Sequence, residues 1–378
     1  PEYILWFVWI IGFDTLSALP FALLRQQQRP IKFSVIRMAN IFINVGLNLY
    51  FLLWAPRLFE QNGFAPFFNP SIGLGYIFIS GLAASLATLL MLLPDIIKAG
   101  IKADAVLRTK MLNYAWPLIF IGLAGMANET FDRAVLKYLS PGDDKLYELG
   151  VYGAFYKLSM VMTMFVQAFR LAAEPFFFSQ FKQVDSRLLY ARIMDYFVMV
   201  CTLIFVGTML FIDDIAALLI RNESYYEHPD GMKVVPILLM ANLFLGMFYS
   251  ISVWYRLTNN TKKGSKLSVM AAILTIALNL IFIPIYGFIA AAWATLAVYV
   301  FLAVANYIWG QKYYPVPYNL KKIGSMIVWS LAIYALAEVL KSRDFVHPYI
   351  VNAALLLIFA GGLYKIQTQL KTISTNVD

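Results

Sequence analysis

The chain has 378 residues, 61% of them apolar, 16% aromatic and 13% charged, with a formal net charge of +9. A soluble domain carries about 25% charged residues, and the apolar excess here recurs in blocks along the whole length, so a water-soluble globular protein is excluded and an all-α polytopic membrane protein is expected. The basic residues fall in alternate loops rather than on one patch, which excludes nucleic acid as the partner.

Cys201 is the single cysteine and lies in an apolar block, so neither an intrachain disulfide nor a cysteine metal site is expected. His228 and His347 stand in separate loops, which argues against a histidine metal cluster or a histidine-based catalytic site. No cofactor is expected. Trp6, Trp9, Trp54, Trp254 and Trp309 lie near block ends, where such rings suit the headgroup interface. The sequence starts at Pro1 directly in an apolar block, with no basic leader region and no cleavage motif, so that block does not read as a signal peptide. The expectation is a chain lacking its true N-terminus.

A membrane-spanning helix needs about 20 apolar residues. Eleven segments meet that requirement: 3–24, 33–55, 72–94, 111–138, 150–178, 193–212, 234–255, 267–284, 287–309, 323–340 and 349–367. Segments eight and nine are separated only by Pro284, Tyr286 and Gly287. One long broken helix is the competing reading there, although its length is about twice one span. Twenty of the 30 basic residues lie at the odd-to-even junctions and the C-terminal end, seven lie on the opposite side, and Arg133, Lys157 and Arg170 lie within segments. Basic loops stay cytoplasmic, so the C-terminus is expected inside and Pro1 outside.

In segment one, Asp14 lies 11 residues before Arg25, which places it near the bilayer centre. A carboxylate there either pairs with a basic neighbour or takes up a proton, so Asp14 is a candidate for ion coupling. Segment two carries Arg37, Asn40, Asn44 and Asn48 at spacings of three and four, one polar ridge on a helix. Two readings stay open for these asparagines: the wall of a wet cavity, or hydrogen bonds between packed helices.

Segment four holds Asn128, Glu129, Asp132 and Arg133, and segment five holds Lys157, Arg170 and Glu174. Ionisable groups at membrane depth mark functional pathways by default. Glu129 and Arg133 are one turn apart and can pair, with an interfacial ion pair as the alternative to function, for Asp132 in particular. Lys157 sits in the outer half with no carboxylate within a turn and is a candidate anion contact. Arg170 and Glu174 are one turn apart near the inner boundary, where snorkelling is cheap. No Gly-rich phosphate loop, nucleophile motif or large external domain is present, so no enzyme is expected.

Four stretches carry a family resemblance: Ser17–Pro30 (SALPFALLRQQQRP), Asn128–Arg133 (NETFDR), Gly150–Phe177 (GVYGAFYKLSMVMTMFVQAFRLAAEPFF) and Leu257–Thr295. Together they resemble the bacterial polysaccharide, or O-antigen, flippases of the multidrug/oligosaccharidyl-lipid/polysaccharide exporter superfamily. The resemblance implies a two-lobed bundle that here lacks about three N-terminal helices. It would comprise a partial N-terminal lobe over 1–110, a six-helix C-terminal lobe over 111–310 and an added helix pair over 320–368. It implies a multi-pass protein of the bacterial inner membrane with a cytoplasmic C-terminus. The implied activity is alternating-access flipping of a polyprenyl-pyrophosphate-linked oligosaccharide, with membrane lipids and a proton or sodium ion as further partners. On this template Lys157, Arg170, Arg133, Asn44 and Asn48 are candidate substrate contacts, and Asp14, Glu129 and Glu174 are candidate ion-coupling groups. The alternatives are a drug/cation antiporter of the same superfamily, which should prefer an acidic cavity, and a membrane O-antigen ligase or polymerase, which should show a long external catalytic loop.

Overall fold

The structure is a computed structural model that describes residues 2–27, 29–99, 104–142, 144–181, 183, 185–258, 260–341 and 348–372. Lys102, Lys182, Arg343 and His347 lie outside the described residues, as does the side chain of Asn128. The described residues are almost wholly helical, with no strand among them. The chain divides into two compact units, Pro1–Arg108 and Thr109–Asp378.

Unit 1 holds α1 (Glu2–Gln26), α2 (Pro30–Leu49), α3 (Ala55–Asn62) and α4 (Tyr76–Ala99). A single π-helical turn, Tyr50–Trp54, joins α2 to α3, so the pair runs as one long element. Its core is small, with Phe21, Leu24, Ile36 and Leu92 buried together. The α2–α4 contact is antiparallel, and three side-chain pairs fix its register. Lys32 meets Asp95 at 2.6 Å, the Asn40 amide donates to Thr88 Oγ1 at 2.9 Å, and the Phe51 ring stacks on Tyr76 at 4.3 Å. Residues at i, i+4 intervals on each helix therefore face one another.

Unit 2 holds α5 (Ala105–Leu139), whose first turn precedes the boundary, then α6 (Lys145–Gln180), α7 (Ser186–Leu210), α8 (Ile212–Leu219) and α9 (Glu223–Tyr226). There follow α10 (Gly231–Ile251), α11 (Val253–Leu257), α12 (Thr261–Tyr313), α13 (Leu320–Lys341) and α14 (Pro348–Thr372). The central helix is α10, packed against α6, α7 and α12. It is apolar all round and buried all round, as Val234, Leu238, Leu239, Ala241, Leu243 and Leu245 show. Gly246 permits its closest approach to α7, because a Cβ there would overlap the Phe197 ring.

Secondary-structure continuity runs through α12 for 53 residues, yet Gly287 sits at φ 61°, ψ −145°, a conformation that excludes other residues. The chain reverses there. Lys263 Nζ lies 3.1 Å from the centroid of the Tyr313 ring, 50 residues on, where a straight helix would separate them by about 75 Å. The two halves of α12 are thus antiparallel neighbours, and the reading as two spans holds over the broken-helix alternative. Nine helical stretches among the described residues are long and apolar enough to cross a membrane, with α12 counted once. Splitting α12 and adding the 35-residue α5 accounts for all eleven expected segments.

The last two helices dock on α7 through polar ties at both ends. Lys322 of α13 pairs with Asp195 of α7 at 2.9 Å. Toward the other end Lys341 pairs with Asp213, Tyr349 donates to Asp214 at 2.9 Å, and the Asn352 amide donates to the Leu210 carbonyl.

Candidate functional site

One face of α6 in unit 2 carries a file of mostly polar side chains. Tyr156, Met160, Thr163, Gln167, Arg170 and Glu174 recur at alternating steps of four and three, so they form one file down the helix. All but Met160 are half-buried. From Tyr156 to Glu174 the file rises about 27 Å, close to the hydrocarbon thickness of a bilayer. Hydrophobic periodicity made α6 a helix; what singles out this face is that a polar side chain takes nearly every turn of it.

At one end, the Arg133 guanidinium of α5 lies over the Tyr156 ring, 4.6 Å from its centroid. Behind it Asp132 is 5% exposed and held on both oxygens. Its Oδ2 accepts from the Tyr152 hydroxyl at 2.7 Å, and its Oδ1 accepts from the Arg133 backbone N–H at 2.7 Å. Tyr152 is itself fully buried. The expected Glu129–Arg133 ion pair is not formed: Arg133 turns to the tyrosine face of the neighbouring helix, and Glu129 stays exposed. Glu129 lies one turn before Arg133 on α5, and its carboxylate forms no ion pair among the described residues.

At the other end, the Arg170 guanidinium lies over the Tyr249 ring, 4.4 Å from its centroid, and Gln167 also approaches the Tyr249 hydroxyl. Glu174 does not pair with Arg170 one turn away. It pairs with Arg256 of α11, so this carboxylate is already neutralised by a cation. Between the two arginines the Thr163 Oγ1 is buried without a hydrogen-bond partner among the described residues. Neither Arg133 nor Arg170 forms an ion pair among the described residues, so both retain N–H edges for an anion. The arrangement can hold phosphate oxygens by charge-assisted hydrogen bonds.

Of the expected site residues, Arg133, Arg170 and Glu174 come together on this file, and Glu129 lies one turn before Arg133. Lys157 is exposed and unpaired among the described residues, but it lies on the adjoining face of α6 with Val161, Met164 and Leu171. Asp14, Asn44 and Asn48 belong to unit 1. Asp14 is exposed there, with no ion pair among the described residues. Asn40 makes the interhelical bond to Thr88, which decides its reading in favour of helix packing. Asn48 donates to Asn44 Oδ1 at 2.6 Å, while its own Oδ1 is buried and unpartnered.

Sequence reasoning missed Tyr156, Tyr249 and the role of Arg256. The recurrence of Tyr156, Thr163, Gln167 and Arg170 at helical spacing was the available signal for the first. Nothing local marks Tyr249 or Arg256 as partners of α6. A separate apolar crevice of about 530 Å³ lies along α12, lined by Leu278, Phe282, Tyr286, Ile289 and Trp293, and it suits hydrocarbon rather than a head group. Among the described residues no cluster of histidine, cysteine or carboxylate side chains could hold a metal ion.

No protein-family model matches the chain, and no curated protein sequence matches it. Among solved structures it is similar to one titled lipid II flippase MurJ, inward closed conformation, with a TM-score of 0.65 and 16% sequence identity over 96% of this chain and 74% of that one. The chain therefore has the polytopic helical fold of that solved flippase.

Proposed function

We propose that the protein is a transporter that flips a polyprenyl-pyrophosphate-linked oligosaccharide from the inner to the outer leaflet by alternating access, for surface polysaccharide synthesis. The observation that carries this reading is the pair of arginines at membrane depth, Arg133 and Arg170, each laid on a tyrosine and neither in an ion pair among the described residues. A bare pyrophosphate cannot cross hydrocarbon, and guanidinium edges facing a polar file replace its water. The fold likeness to a solved lipid II flippase supports a lipid-linked substrate. The apolar crevice along α12 gives a prenyl or acyl tail a surface outside the polar file.

In this reading the protein resides in the bacterial inner membrane with its C-terminus cytoplasmic, as the basic loops require. Residues 1–110 belong to a first lobe, 111–310 form the second, and 320–368 are an added pair docked on α7. Glu129 is the carboxylate placed to bind a coupling proton or sodium ion, because it lies one turn before Arg133 with no ion-pair partner among the described residues. Asp14 would serve the same purpose in unit 1, where Asn44 and Asn48 would meet the sugar. Glu174, occupied by Arg256, is a weaker coupling candidate. A drug/cation antiporter is disfavoured because two arginines of the file, Arg133 and Arg170, form no ion pair among the described residues, whereas the carboxylates Glu174 and Asp132 are already held by Arg256 and by Tyr152.

The test is complementation of a bacterium lacking its polysaccharide flippase. Wild-type protein should restore surface polysaccharide, and the Arg170→Ala variant should not. Restoration by the Arg133→Ala and Arg170→Ala variants alike would remove the site assignment.

A further inference from the structure

We propose that α6 carries two successive stations for the phosphate end of the substrate, an inner one at Arg170–Tyr249 and an outer one at Arg133–Tyr156, visited in turn during one transport cycle. This inference rests on the flippase reading and specifies how its binding file is used.

The two tyrosine-backed arginines cannot serve one head group at once. Tyr156 and Arg170 are 14 residues apart on α6, which is about 21 Å of rise with the two side chains within about 40° of one face. That separation far exceeds the reach of a diphosphate, yet the shared face means a head group moving along α6 meets both. Each station has the same construction. A guanidinium lies 4.4 or 4.6 Å from the centroid of a phenol ring, and of its five N–H groups those not engaged with the tyrosine are left for a ligand, Arg170 also meeting the Tyr249 hydroxyl. The rings come from different helices, Tyr249 from α10 and Tyr156 from α6 itself, so the stations can be altered independently.

The ground between them is polar but holds no cation. Thr163 lies seven residues, about 10 Å, from each end of the interval, and its buried hydroxyl has no partner among the described residues. Gln167 lies one turn beyond it toward Arg170. Glu129 of α5, one turn before Arg133, is exposed and forms no ion pair among the described residues. A diphosphate is therefore held at either arginine, and the roughly 21 Å of α6 between the two stacks separates the path into two wells. Arg256 does not make a third station, because Glu174 already occupies it.

The experiment uses the protein in proteoliposomes with a fluorescent polyprenyl-diphosphate-linked oligosaccharide, measuring equilibrium binding and the rate of leaflet exchange separately. With α6 oriented by its basic inner loop, Arg170→Gln should weaken binding by about tenfold or more, as loss of charge-assisted bonds does. Arg133→Gln should leave binding within about threefold and slow exchange by about tenfold or more. Arg133→Lys and Arg170→Lys, which keep the charge and the packing stem, should fall between each glutamine variant and wild type. Equal loss of binding in both glutamine variants would mean one composite site and overturn the proposal, as would an unchanged exchange rate for Arg133→Gln. Wild-type protein that neither binds nor moves the probe would overturn the flippase reading itself and this inference with it.

Discussion

Lys322 and Asp195 lie 127 positions apart in sequence and form an ion pair of 2.9 Å with side chains only 6% and 14% exposed. Asp195 sits on α7 about 13 Å from the helix start, and Lys322 reaches it from the first turn of α13. This pair is the innermost polar tie between the last two helices and the rest of unit 2. A buried charge stripped of its partner costs about 3–5 kcal/mol, whereas an apolar replacement of both is often neutral. Lys322→Met alone should therefore lower the thermal unfolding midpoint in detergent clearly, and Lys322→Met with Asp195→Leu should recover most of the loss. Equal destabilisation by the single and double variants would show that the ion pair is not what holds the helices.

The Tyr249 ring beneath Arg170 gives a second prediction. A cation–π contact is worth about 0.5–2 kcal/mol, or about 2- to 30-fold in affinity. Tyr249→Phe keeps the ring and should leave substrate binding near wild type. Tyr249→Leu removes it, frees the Arg170 fork, and should weaken binding within that range. If the phenylalanine variant loses as much as the leucine variant, the hydroxyl rather than the ring face is the essential part.

Gly287 makes the reversal inside α12 at a positive φ, with Pro141 and Ser140 at ordinary contact distance from where a Cβ would stand. Space is available, so the penalty is conformational. Gly287→Ala should cost about 1–3 kcal/mol. A thermal shift series of Gly287→Ala beside Gly122→Ala, a helical glycine in open surroundings, separates backbone strain from any generic effect. Indistinguishable midpoints would contradict the hairpin.

The Asn40–Thr88 bond predicts a stability effect without a transport effect. Interhelical hydrogen bonds in membranes average about 0.6 kcal/mol in double-mutant cycles. The cycle of Asn40→Leu and Thr88→Val should return a coupling of about that size. Both variants should exchange substrate at the wild-type rate per folded molecule. A transport defect at unchanged stability would move Asn40 from packing to the cavity.

Glu129 supplies a prediction about coupling. Glu129→Gln removes the charge one turn before Arg133 on α5 while keeping size and hydrogen bonding. Exchange in proteoliposomes should lose its response to an imposed proton or sodium gradient, and binding at equilibrium should persist. A variant that responds to the gradient as wild type does would assign coupling elsewhere.

The number of spans and the position of charge along each were legible in the residues. Helix length against bilayer thickness is a local property, and eleven apolar segments became helices of that length. Even the hairpin in α12 was signalled locally, by Pro284, Tyr286 and Gly287. The partners of the charges were not legible. Helical spacing made Glu129–Arg133 a candidate pair and put Arg170 and Glu174 one turn apart near the inner boundary. In the folded chain Glu174 goes to Arg256, Arg170 to Tyr249 and Arg133 to Tyr156. Those choices depend on how α5, α10 and α11 are rotated against α6, and apolar patterning says little about rotation when helices are hydrophobic on nearly every side. Sequence alone thus determined a many-helix membrane protein with charge where lipid would forbid it. Only tertiary packing decided which of those charges remain free to hold an anion, because neutralisation in this protein occurs between helices distant in the chain.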